Sequence, residues 1–559
     1  MAKVILTIIL GLVTVFVSAN SGFTELVNEL KTKVQTVQVK SGEFDQGIQE
    51  TIPGIIQVKS NFINNKGESK TTEFTINLAD IDIYMVKEIT VKDAIHVQLK
   101  VNDGQKFIRV TSDGELLPYV STAKIMAKDK DNAREISAII KKMIPLGKEI
   151  LSTKIDIPSY EDKVSFLQEG VTEVNLPGAS FDQKLRTLEG VAGNMSLDVT
   201  TTTGKKTDDE QYVFNLADIE ENSVMIDVKG NKVQLVFEMK YRKKLVHKVK
   251  NGNQVPFVAK VSMLANQVDA ARDLSIVLKR CIPQARTKVH ESLPSVSEPG
   301  QILDMINSRI AELSIDENTY LQAFTNSCLS NFEVTENTPK GTTTSSYQFN
   351  FSDIREQSID YIISGTKMQI GFSTLANQKL IRKEKDGEIE GYSNKLVLIC
   401  SSSYDAKIIR HLLKKLVEVC KERPNRLIPQ TNAKEKLKWL MDHIVEVNVD
   451  KKTYVQVLIK SENDPKKIEF KQLISAGSNA TEMLYEFNMN DIDSKNINYN
   501  ITGKSLSVEV NANYNSKVIK TYKNGVVSNY TSKIKIYFDD IEMAKNCMLA
   551  FQEIIEESE

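Results

Sequence analysis

The chain has 559 residues, 41% of them apolar and 26% charged, and its 72 basic against 73 acidic side chains leave a formal charge of −1. At roughly 150 residues per domain, that length calls for three or four domains rather than one. The balance excludes a polyelectrolyte and an overall basic field for nucleic acid, the apolar content argues against bulk disorder, and five cysteines are too few, and odd in number, for a disulfide framework.

Met1 to Lys3 form a short basic start, and Val4 to Val17 are apolar apart from Thr7, Gly11 and Thr14. That run is too short to span a bilayer, and Val17-Ser18-Ala19 offers the small or apolar side chains a signal peptidase reads, so residues 1–19 are expected to be a secretory signal cleaved after Ala19. No cysteine follows the run, which disfavours a lipid anchor. No later apolar stretch reaches the roughly 18 residues of a membrane span. Abundant Lys, Asn and Ile with few disulfide candidates point to a bacterial protein exported to the periplasm or cell surface.

From residue 20 onward one pattern occurs four times. Each copy opens with a helix running into a short strand: Val34-x-x-Val37-x-Val39 before Phe44, Val171-x-x-Val174-x-Leu176 before Phe181, Ile310-x-x-Leu313-x-Ile315 before Tyr320, and Ile444-x-x-Val447-x-Val449 before Tyr454. Next comes an aromatic-rich string ending in Asn-x-x-Asp-Ile, at Asn77/Asp80, Asn215/Asp218, Asn350/Asp353 and Asn488/Asp491, spaced by 138, 135 and 138 residues. These side chains are expected to hydrogen-bond their own turn. The calcium reading fails because no glycine-bearing twelve-residue loop with a terminal glutamate follows.

A turn then recurs at Lys92, Gly230, Gly365 and Gly503, followed by alternation such as Ile95, Val97, Leu99 and Val101 against His96, Gln98 and Lys100. This is a strand with one buried face, and His96 is expected on its solvent side. Farther on, cations recur at Lys106, Lys244, Lys379 and Lys517, and three positions later at Arg109, His247, Arg382 and Lys520. An odd separation puts the two sets on opposite faces, so lysines guarding an edge strand are favoured over a phosphate contact. The four lysines are the possible interaction residues. The pairs Asp113-Gly114, Asn251-Gly252, Asp386-Gly387 and Asn524-Gly525 predict type I′ hairpins, which need positive φ at both central positions.

Each copy closes with a helix whose apolar residues step by three and four along one face: Ala133, Ile136, Ile140, Met143; Ala271, Leu274, Leu278, Cys281; Ala406, Ile409, Leu413, Leu416; Ala544, Cys547, Phe551, Ile554. Pro145 and Pro283 are expected to stop the first two of these helices. Prolines collect between copies, at Pro158, at Pro294 and Pro299, and at Pro424 and Pro429. The predicted organisation is therefore α+β: four tandem homologous modules (20–154, 159–292, 300–428, 432–559), each an N-terminal helix, about seven mostly antiparallel strands and a C-terminal helix. By strand count and order this resembles the pleckstrin-homology-like superfold, an analogy of topology that implies binding without naming a ligand.

Candidates for chemistry are few. His96, His247, His290, His411 and His443 lie far apart and none repeats between modules; zinc-ligand spacings, phosphate loops and nucleophile elbows are missing. Cys281 and Cys547 fall on the apolar helix stripe and read as small core residues. Cys328, Cys400 and Cys420 share module three, and in an oxidising compartment one pair could bridge, though spacing does not say which. No catalytic, cofactor-binding or metal residue is assigned, and no enzyme is expected. The expected function is an exported, non-catalytic scaffold of the bacterial cell envelope whose repeated domains engage other proteins. It carries no transmembrane span in the mature chain, has no nucleic-acid partner, and associates peripherally with an envelope complex. The alternative is a small apolar or lipid ligand held between sheet and closing helix.

Overall fold

The structure, a computed structural model, describes residues 20–423, 425–461, 466–477 and 479–557; the predicted export signal, residues 1–19, lies outside them. Module one begins with helix α1 (20–33) and runs through β1 (Val37–Val39), β2 (Gly42–Ile52), β3 (Ile55–Asn64), β4 (Ser69–Asn77), β5 (Lys87–Val91), β6 (Ala94–Lys100), β7 (Ile108–Ser112), β8 (Glu115–Val120) and β9 (Thr122–Ala127) to the closing helix α2 (Lys130–Thr153). One sheet has the order β1-β2-β3-β4-β7-β8 and the other β5-β6-β9, with every pair antiparallel. The other three modules repeat the same six-plus-three arrangement. The strands therefore number nine per module rather than about seven, and the chain crosses between sheets at β4–β5, β6–β7 and β8–β9.

The predicted stripe on each closing helix forms the core. Ala133, Ile136, Ile140 and Met143 are buried, as are Ala271, Leu274, Leu278 and Cys281, and their counterparts in modules three and four. The space between sheet and closing helix is thus filled by side chains. Burial pushes the Cys281 thiol up to about 12, as expected of a thiol used as a small apolar group.

Pro145 and Pro283 do not end their helices. They lie inside Lys130–Thr153 and Val268–Ser292. The turns beyond them bury Ile150 in one and Ala285 and Val289 in the other. Arg286 in the second also donates to the carbonyl of Ile219 at 3.0 Å. Tertiary burial outweighs the hydrogen bond that proline removes.

A glutamine joins the two sheets of every module. Gln46 accepts from the Met126 amide (2.8 Å) and donates to the Met126 carbonyl (3.1 Å). Gln183 makes the same two bonds to Leu264, Gln322 to Ile399, and Gln456 to Tyr537. Module three also holds the disulfide Cys328–Cys420, while Cys400 is free and buried.

Contacts group the modules in pairs: the chain divides into two compact units, one ending at Ser292 and the other beginning at Leu293. Among the described residues no helix is long and apolar enough to cross a membrane.

Candidate functional site

The four recurrent lysines do not lie on a strand. Lys106, Lys244, Lys379 and Lys517 are exposed in the loop just before β7 and its counterparts. Each follows a one-turn helix containing a left-handed residue, at Asp103, Tyr241, Ala376 and Tyr514. Arg109, His247, Arg382 and Lys520 do sit on that strand, but β7 lies between β4 and β8 and is not an edge. His96 is also placed differently from expectation. It is only 4% exposed, because the six-stranded sheet covers the polar face of β6.

The recurring Asn-x-x-Asp string has two roles. The first is local: Asn77, Asn215, Asn350 and Asn488 each accept the amide two residues on, at 2.9–3.0 Å, capping a single 3₁₀ turn. The second is a joint between modules. In the first unit Asn77 donates to Asp269 (2.9 Å), and Asp80 pairs with Arg272, which also holds Asp269. In the second unit Asn350 donates to Glu542 (3.1 Å), and Asp353 pairs at 2.6 Å with Lys545, which also holds Glu542. Each of these four contacts spans 192 residues. An acid and a base three residues apart at the start of the next closing helix thus grip the Asn and the Asp.

The charges at this joint are buried. Arg272 and Asp80 retain 9% and 12% of their side-chain exposure. Burial pushes Asp80 up to about 6, although Arg272 pulls the other way. Burial would lower Lys545, but Asp353 and Glu542 outweigh it and keep the ammonium protonated. Removing one partner of such a pair leaves an uncompensated charge, at a cost of about 3–5 kcal/mol.

Apolar contacts surround the ion pairs. Phe107 and Tyr119 of module one pack with Val233, Ala265, Val268 and Ala271 of module two. At the matching positions of module three, Leu380 and Tyr392 join the core of module four. The linkers are held as well: Lys154 pairs with Asp273 (2.7 Å), and Arg426 forms a two-point bond with Glu553 (2.7 and 2.8 Å).

Module four carries the counterparts of these receiving residues. Asp491 is exposed, and Val518 and Tyr530, which occupy the places of Phe107 and Tyr119, are 41% and 52% exposed. Tyr530 lies on Val526–Thr531, the last strand of its sheet. The opposite kind of face, on module one, is polar. Asp131 and Arg134 repeat the acid-and-base pair (2.8 Å), but Lys130 and Glu88 stand where module two has Val268 and Ile226. No family model, curated protein or solved structure matches the chain.

Proposed function

We infer that the protein is an exported, non-catalytic scaffold of paired α+β modules that engages protein partners in the cell envelope through the open joint face of module four. One observation carries this reading: Asp80 and Asp353 with their apolar surroundings are covered by a following module, while Asp491, Val518 and Tyr530 are left exposed. Contiguous exposed apolar side chains beside a charge mark interaction surfaces.

The partner has a definable chemistry. It presents a helix start bearing an acid and a base three residues apart beside apolar side chains, as Asp269 and Arg272 do beside Val268. Export is supported by the basic start, the apolar run and Val17-Ser18-Ala19, and the Cys328–Cys420 bond suits an oxidising compartment. The test is capture from envelope extract by immobilised full-length protein, compared with Asp491→Arg and Tyr530→Ser. A partner retained by wild type and by Lys106→Ala, and lost in both face variants, supports the assignment. Capture indifferent to Asp491 and Tyr530 overturns it.

A further inference from the structure

Module one contains a cleft that the other modules close. It lies between the two sheets, has a volume of about 470 Å³, and is walled by Phe44 and Phe62, whose rings are 4.6 Å apart, with Phe74 and Met126. His96 lines it between the sheets, and exposed Lys70 and Lys124 stand at its mouth. Ligand sites of about 300–1,000 Å³ with apolar walls and a few convergent polar groups are the usual form of small-molecule pockets.

The other modules fill this place with their own side chains. Position 94 is alanine here, but its counterparts in modules two and three are Lys232 and Lys367. Lys232 lies over the Phe181 ring at 5.3 Å, and Lys367 over the Tyr320 ring at 5.0 Å. Phe181 and Tyr320 are the counterparts of Phe44. In module four a second device does the same: Tyr537, at the place of Met126, stacks on Tyr454 at 4.0 Å. Three modules thus cover this aromatic wall with their own side chains, by two different means. Module one leaves it uncovered, with small Ala94 at the key position and two cations at the mouth.

We propose that the module-one cleft binds an amphipathic carboxylate, its acyl chain against Phe44, Phe62, Phe74 and Met126 and its headgroup at Lys70 and Lys124. The cations fix the sign of the headgroup, since no acidic side chain lines the cleft among the described residues. His96, buried beside Lys124, supplies a hydrogen-bonding edge between the apolar walls and the mouth. This cleft differs in place from the sheet–helix gap, which core side chains occupy, and its occupancy does not depend on the open face of module four.

The test uses the full chain and dodecanoate as the probe, titrated calorimetrically below its micelle concentration, with dodecyltrimethylammonium as the charge control. Wild type takes up one dodecanoate per chain, saturably. Ala94→Lys and Met126→Tyr each install a residue the chain already uses at that position in a closed module, so the fold is kept, as an unchanged melting curve will show. Each weakens dodecanoate binding by roughly tenfold or more, about 1.4 kcal/mol. Lys70→Ala with Lys124→Ala weakens dodecanoate by a similar factor but leaves dodecyltrimethylammonium unaffected. Absence of saturable binding by wild type, or wild-type affinity in both closing variants, overturns the site. Equal loss of both amphiphiles in the lysine variant overturns the assignment of an anionic headgroup.

Discussion

Asn524 and Gly525 have φ of 48° and 79°, and the same pair of positive values occurs at Asp113-Gly114, Asn251-Gly252 and Asp386-Gly387. The side chain at the first position also accepts a backbone amide of the neighbouring strand, from Thr71, Asp209, Thr344 and Glu482 in turn, at 2.8–2.9 Å. Only an Oδ1 is needed for that bond, which is why Asn and Asp interchange between modules. Gly525→Val should therefore lower the stability of module four by more than about 1 kcal/mol through backbone strain alone, because nothing crowds the added carbon. Asn524→Asp should unfold at nearly the wild-type denaturant midpoint. The reverse ranking would contradict the turn. This feature was legible in the sequence because Asn-Gly and Asp-Gly encode a local backbone shape. The glutamine clamp was not, although Phe44-x-Gln46, Phe181-x-Gln183, Tyr320-x-Gln322 and Tyr454-x-Gln456 recur as plainly. A strand period assigns glutamine to a face, and only the packing of the second sheet makes that face an interior. Gln322→Ala strands the amide and carbonyl of Ile399, and its urea midpoint should fall by an amount equivalent to about 2–4 kcal/mol. Unchanged stability would remove the clamp from the account.

Among the elements, the closing helices were the most readable, since steps of three and four mark a buried face wherever it lies. Their lengths were not readable at Pro145 and Pro283, because the contacts that sustain the later turns come from the 3₁₀ turns of the same module, distant in sequence. The closing helix of module four (Ile541–Glu556) adds a pH-sensitive contact. A two-point bond from Arg426, with Lys436 at 2.9 Å, holds Glu553 down to about 2, against an ordinary value of 4.5. A carboxylate depressed in the folded state stabilises fully above the unfolded value and loses that contribution as pH falls through the folded one. Thermal unfolding of the wild type should therefore lose more stability between about pH 4.5 and pH 2 than that of Glu553→Gln. Parallel curves for the two proteins would show that the Arg426 contact does not stabilise the fold.

At the scale of the whole molecule, a period near one module was visible, while the pairing of modules was not. The Asn and Asp of the recurring string are the same residue types in all four copies, so nothing in the string distinguishes a covered face from an open one. In modules one and three the covering charges come from the next closing helix, Asp269 with Arg272 and Glu542 with Lys545. In module four the receiving residues Asp491, Val518 and Tyr530 are exposed, and the proposed partner binding rests on that face. The lysine tips at Lys106, Lys244, Lys379 and Lys517 lack any such unfinished contact and serve as internal controls. The most direct measurement is site-specific photo-crosslinking in intact cells, with the photoreactive residue at position 530 and, separately, in place of Lys106. An open joint face predicts a discrete protein adduct from position 530, absent from the control and abolished by adding Asp491→Arg. No adduct at position 530 beyond that of the control would contradict the assignment of module four as the partner-binding end.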